Sequence, residues 1–187
     1  MDLGVDDYAV VMFTQWYRGE WRIIGEYWNN GYALVHYLEY IKDAGYDIRA
    51  IRFPHDIKVR EQGSHKQNGR AKSRLEIAKD YKRDEGLNWR LDVLPRQSID
   101  HGIEATRRMI PNLVIDACCT YLIDCFMNYS KEWDERLQVW KSTPVHDEFS
   151  HGADTIRQFA SSTIENNSQH ESKLANYTRQ RYSGVAI

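Results

Sequence analysis

What most limits the fold of this chain is the order in which its apolar patterns change period. Residues 8–16 and 21–28 are both rich in β-formers, and Tyr17-Arg18-Gly19-Glu20 between them predicts a hairpin. Leu34, Tyr37, Leu38 and Ile41 then recur at helical spacing. They predict a helix over about residues 32–44, capped by Asn30 and ended by Gly45. Residues 48–53 read as a strand that Pro54 stops. A helix follows over residues 71–85, ended by Gly86, and then a strand in which Trp89, Leu91 and Val93 alternate with polar residues. Ser98 is expected to cap a helix running to about Ile110, before Pro111, and Asp116 another from Ala117 to about Tyr129. Residues 131–145 read as a second hairpin or an irregular loop, and a last helix begins near Ser150. This succession, ββαβαβαα with a loop and a final helix, predicts an α/β fold with a mixed sheet covered by helices.

The 187 residues suit one domain with a real core. Hydrophobic residues make up 42% and charged residues 28%, the balance expected of a soluble globular chain. No apolar run is long enough to span a bilayer and no signal peptide is evident, so no membrane partner is expected. Cys118, Cys119 and Cys125 share one helical stretch without the two-pair spacing of a zinc site, and reduced, packed thiols are expected. There is no Gly-x-x-x-x-Gly-Lys-Ser/Thr pattern to cradle a nucleotide. From Asn166 onward the chain is polar with little periodicity. A domain over residues 1–163 and a polar C-terminal tail over 164–187 follow from this.

The formal net charge is −2, which by itself announces no polyanionic partner. Its distribution is uneven. Lys58, Arg60, Lys66, Arg70, Lys72 and Arg74 are opposed only by Glu61, in a stretch that also holds Gly63, Ser64, Asn68 and Gly69. Such a stretch reads as a basic surface loop, with phosphate contact as its functional use.

Three acids stand where chemistry is often found. Asp2 precedes an apolar run, Asp56 follows one, and Asp154 lies three residues after His151, on the same face of the last helix. Singly, each has an ordinary structural explanation: a turn acid beside Gly4, a turn acid after Pro54, a helix-start acid favoured by the dipole. Converging carboxylates repel one another unless a cation lies between them. Asp6, Asp7, Asp116 and Asp147 are reserve ligands, and Trp133 and Trp140 are candidates for a groove wall.

Asp2-Leu3-Gly4, Pro54-His55-Asp56 and Pro144-Val145-His146-Asp147, followed by Ser150-His151-Gly152-Ala153-Asp154, resemble the nuclease domain of tailed-phage large terminase subunits. Asn128-Tyr129-Ser130-Lys131-Glu132-Trp133 is similar to that family as well. The resemblance runs from Asp2 to Phe159. It implies a ribonuclease H-like fold related to Holliday-junction resolvases, and a hydrolase that cuts double-stranded concatemeric DNA during genome packaging in the host cytoplasm. It also implies that Asp2, Asp56 and Asp154 hold two Mg²⁺ or Mn²⁺ ions, with His151 as an accessory catalytic group. The basic residues from Lys58 to Arg74 would bind DNA. A packaging ATPase domain, a small terminase subunit and a portal are the implied protein partners. A Holliday-junction resolvase-like nuclease, or a non-catalytic module docking DNA or the portal, are the alternatives.

Overall fold

The computed structural model describes residue 1 and residues 8–59, 66–67 and 70–163, the backbone alone at residues 66, 67, 70 and 142. Strand β1 (Ala9–Tyr17) turns into β2 (Glu20–Asn29) as an antiparallel hairpin. Its turn residues Arg18 and Gly19 both take positive φ, 49° and 91°. That is the type I′ geometry whose twist matches the flanking strands. β2 pairs on its far side, in parallel, with a short strand β7 (Leu113–Ile115), giving the order β1-β2-β7. A second sheet joins β3 (Ala50–Phe53) to β6 (Arg90–Val93) in parallel.

Helices cover both faces. On one face α1 (Leu34–Asp43) and α2 (Arg74–Asp84) close over a core of Val11 and Phe13 from β1 with Ile51 and Phe53 from β3. The two sheets therefore share one core. On the other face lie α3 (Ile99–Met109), α4 (Thr120–Asn128) and a last helix α5 over residues 150–163. Val10 and Ile23 pack there against Leu122 and Ile156, while Ala105 and Met109 meet Phe159 and Ala160. The expected class, an α/β fold with strands flanked by helices, agrees with these layers.

Local chemistry explains where elements begin. The predicted stripe of α1, Leu34, Tyr37, Leu38 and Ile41, is fully buried. Asn30 is not its cap: Ala33 holds that place without a side-chain bond, and Asn30 donates its N–H to Asn29 Oδ1. Each buried stripe residue is worth about 1.5–3 kcal/mol, so four of them outweigh the ~1 kcal/mol that a cap supplies. α2 starts later than predicted because Ser73 and Glu76 form a capping box, and Ala71 belongs instead to a small strand. Ser98 caps α3 as expected. α4 draws its cap from elsewhere. The Glu26 carboxylate on β2 accepts the Tyr121 and Leu122 N–H groups at 2.9 and 2.8 Å, while Asp116 closes the preceding turn through the Cys118 N–H. The segment over residues 131–145 is a hairpin, β8 (Lys131–Asp134) with β9 (Val139–Pro144).

Cys119 and Cys125 are buried and Cys118 is exposed, all three as free thiols. Burial pushes the Cys119 thiol up to about 12. Among the described residues no helix is long and apolar enough to cross a membrane. Residues 164–187, the predicted tail, lie outside the described residues.

Candidate active site

The C-terminal end of β3 builds the first wall of the site. Pro54 ends the strand, and residues His55–Lys58 form one 3₁₀ turn closed by the Val59 N–H donating to the Asp56 carbonyl at 2.8 Å. Ile57 is fully buried in the first core, which pins the turn and leaves His55, Asp56 and Lys58 facing outward. Asp56 thus stands exposed immediately beyond a parallel strand, as predicted. Its carboxylate is engaged by no side chain among the described residues.

The start of α5 builds the second wall. Asp147 nucleates the helix: its Oδ1 accepts the Phe149 N–H, and its carbonyl accepts both the N–H and the hydroxyl of Ser150. Because the Ser150 proton is committed to Asp147, His146 Nδ1 is the donor in its 3.1 Å bond to Ser150 Oγ. The His146 and His151 rings lie 5.5 Å apart at a steep angle, and the Tyr8 ring lies 6.2 Å from His151. Gly152 lets α5 approach α4, since a Cβ there would sit 2.5 Å from Cys125 Sγ.

Asp154 is half-buried and accepts a 2.8 Å ion pair from Arg157, one turn on. Arg157 is the side chain of this candidate site that sequence reading missed; the acid–arginine spacing of three on one helix was the available signal. Its stem lies across Gly102 of α3, where a Cβ would come within 2.2 Å of Arg157 Cγ. Its Nε is buried without a hydrogen-bond partner among the described residues, and so is the Tyr129 hydroxyl. Burial raises the pKa of Tyr129, and the negative charge of Asp154 raises it further, with Arg157 opposing and Asp147 adding. Tyr129 therefore stays a protonated hydroxyl.

The two walls meet. Pro54 and His55 line a cleft of about 140 Å³ with Leu94, Gln97, Gly102 and Arg157. The neighbour of Asp56 and the partner of Asp154 therefore share one opening, at the C-terminal end of the β3–β6 pair. Asp2 lies outside the described residues. Its chain neighbour Met1, however, donates from its nitrogen to the Arg52 carbonyl on β3 at 3.0 Å. Among the described residues no group of three His, Cys, Asp or Glu side chains is drawn together. Asp56 and Asp154 offer hard oxygen donors of the kind Mg²⁺ and Mn²⁺ take, so the chemistry of the donors fits such an ion with a third acid still to be supplied.

The basic segment is more structured than a plain loop. Lys66–Gln67 (β4) and Arg70–Ala71 (β5) pair as a short antiparallel ribbon. Lys58 is exposed on the 3₁₀ turn, Arg74 opens α2, and Arg60 lies outside the described residues. Lys72 is bound to Asp80 at 2.5 Å, and this bond, with Arg83 nearby, holds the Asp80 carboxyl below its ordinary range. Trp133 and Trp140 pair edge-on across β8–β9 at 5.0 Å and are both exposed.

No family model and no curated protein matches the chain. Solved structures do. A large terminase from the thermophilic bacteriophage D6E superposes with a TM-score of 0.59 at 17% identity, over 87% of this chain and 38% of that one. The same protein with ADP gives 0.58 at 16% identity over 85% and 37%, and with ATP-gamma-S 0.57 at 16% over 85% and 38%. The chain thus spans under two-fifths of the terminases it matches. At such identity the likeness establishes the fold, and the mixed α/β architecture described above is one found in a phage large terminase.

Proposed function

We propose that this chain is the nuclease part of a phage large terminase, a metal-dependent endonuclease that cuts double-stranded concatemeric DNA during packaging. The observation that carries the reading is the shared cleft. His55, the chain neighbour of Asp56, and Arg157, the ion-pair partner of Asp154, line the same opening, in a fold found in a large terminase. Asp56, Asp154 and Asp2 are the proposed ligands of two Mg²⁺ or Mn²⁺ ions. Such ions, when bound, supply an activated water and relieve charge on the phosphate.

The side chains divide the remaining work. Arg157, which lines the cleft, holds the Asp154 carboxylate and keeps a positive charge where a phosphate must pass. His151, with the rings of His146 and Tyr8 at 5.5 and 6.2 Å, has the role of orienting a water or holding a proton. Lys58, beside Asp56, with Arg60, Lys66, Arg70 and Arg74 farther along, offers phosphate contacts that carry no sequence preference. A packaging ATPase, a small terminase subunit and a portal are the partners this reading expects, with residues 1–163 as the nuclease domain.

Plasmid nicking in Mn²⁺ tests the proposal. The chain should nick supercoiled DNA, and Asp56→Asn and Asp154→Asn should not. Activity without added divalent ion, or full activity in either variant, would remove the assignment. A chain that binds duplex with no cleavage in any metal would be a docking module, and preferred cleavage of four-way junctions would make it a resolvase.

A further inference from the structure

The end of β2 sets an aromatic ring beside the candidate site. Strand alternation puts Glu26 and Trp28 on the same face of β2, the face that α4 covers. Glu26 holds the start of α4 there, through the Tyr121 and Leu122 N–H groups. Two residues on, the Trp28 ring stacks on the Tyr121 ring, with centroids 4.5 Å apart and planes 23° from parallel. Tyr121 is in turn tied to the approach to α5, since its hydroxyl donates to the Glu148 carbonyl at 2.9 Å. Trp28 also meets the Tyr8 ring edge-on at 5.2 Å, and Tyr8 lies 6.2 Å from His151. A single ring therefore links Trp28 to His151, in the wall that carries Asp154.

Trp28 is nonetheless 41% exposed. Its register partner Val10 is fully buried in the second core, so the indole stands where that core stops, at the open end of the hairpin. A large ring left in water forfeits much of the free energy that its burial would supply. Its orientation is all the same set twice, by Tyr121 and by Tyr8. A fixed, exposed indole with one face stacked on a tyrosine is a flat π surface that costs little ordering to use. Trp16 lacks this setting. It is exposed too, but its register partner is Trp21, at the turn end of the hairpin and far from Tyr8.

We infer that Trp28 is a stacking shelf for one unpaired DNA base beside the candidate site. The inference rests on the nuclease reading for its ligand class, and adds that the strand is held there with a base out of the duplex. In paired DNA both faces of a base are covered by its neighbours, so an indole takes a base only once that base has left the stack. Every base has a π face, so the shelf carries no sequence preference. Unpairing has a cost, and that cost is least where the duplex is already open. DNA with a bubble or a frayed end is therefore the substrate class that the shelf favours. A base held on Trp28 fixes its strand beside His151.

Binding without divalent ion, so that no strand is cut, tests the shelf. Single-stranded oligothymidine and a fully paired duplex are the probes, against the wild type and Trp28→Leu. Leucine keeps an apolar cover over Tyr121 and removes the flat ring. Trp28→Leu should bind oligothymidine about tenfold more weakly. Its duplex affinity should stay within about twofold of wild type, since phosphate contacts are untouched. No binding of oligothymidine by the wild type, equal affinity in the two proteins, or an equal loss on both probes would overturn the shelf. A second measurement needs no variant, and decides alone should Trp28→Leu fail to fold. Oligothymidine carrying one 5-iododeoxyuridine, irradiated on the wild type, should cross-link to Trp28; cross-links confined to other residues would overturn the shelf. Plasmid nicking is scored apart. A chain that nicks but fails these arms loses the shelf alone, and one that passes them but nicks in no metal keeps the shelf and loses the nuclease reading.

Discussion

The two acids beside the cleft, Asp56 through its neighbour His55 and Asp154 through its partner Arg157, are held by opposite means. Asp56 rides on a single 3₁₀ turn held by one buried side chain, Ile57, and its carboxylate faces outward without a partner among the described residues. Asp154 sits on a fourteen-residue helix, residues 150–163, with its carboxylate bridged by Arg157, which is itself wedged against Gly102. The first acid is free to meet a ligand; the second is positioned before any ligand arrives. Pre-positioning of this kind lowers the ordering cost of assembly but leaves the site dependent on packing several residues away. The two walls should therefore fail differently when mutated.

The largest difference should appear in cleavage. Asp56→Asn should lower Mn²⁺-dependent nicking by more than ~100-fold with an unchanged melting curve, because only an exposed ligand charge is lost. Arg157→Lys should cost about 10–100-fold, the usual penalty for disturbing a group that orients a ligand. Wild-type nicking by Arg157→Lys would erase the contrast between the walls.

Metal linkage should come next. Mn²⁺ at a hundredfold excess over Kd should stabilise the wild type by roughly 2.7 kcal/mol, and Asp56→Asn by much less. Equal rises in melting temperature would mean that the ion binds away from this turn. Gly102→Ala then probes the packed wall alone. Alanine is the better helix former by about 1 kcal/mol. A Cβ at 2.2 Å from Arg157 Cγ, however, should reverse the sign and destabilise by ~1–3 kcal/mol. Urea unfolding would measure this, and a stabilised Gly102→Ala would show that Arg157 is not wedged.

The smallest effect concerns the basic segment. The depressed Asp80 pKa contributes stability above the unfolded carboxylate value of 3.8 and loses it as pH falls through the folded value. Lys72→Met should thus destabilise by at most about 1 kcal/mol at pH 7, with the gap to wild type closing toward pH 3. A pH-independent gap would show that the pair with Asp80 is not what Lys72 contributes, and would return Lys72 to the expected set of phosphate contacts.

Much of this was legible in the sequence, for identifiable reasons. The hairpin over β1 and β2, the buried stripe of α1 and the capped start of α3 each rest on local signals that tertiary contacts then reinforce. β7 was not legible. Its three residues, Leu113 to Ile115, are too few to show a period, and they stand between two helices read as consecutive. The α1 cap at Asn30 failed because burial of four apolar side chains decides where that helix starts. At the site, the positions of Asp56 and Asp154 could be argued from Pro54 and from helical spacing. The wedge of Arg157 against Gly102 could not, because it joins α3 to α5 across more than fifty residues.

Glu26 sets an order of events for folding. Its carboxylate on β2 holds the first N–H groups of α4 across sequence separations of 95 and 96 residues. A nine-residue helix without its own side-chain cap is marginal in water. α4 should therefore become stable only after the N-terminal hairpin has formed and come to lie beneath it. Such a distant contact slows the search for the native state. Fragments that begin after β2 should leave the segment from Thr120 to Asn128 in rapid exchange with coil.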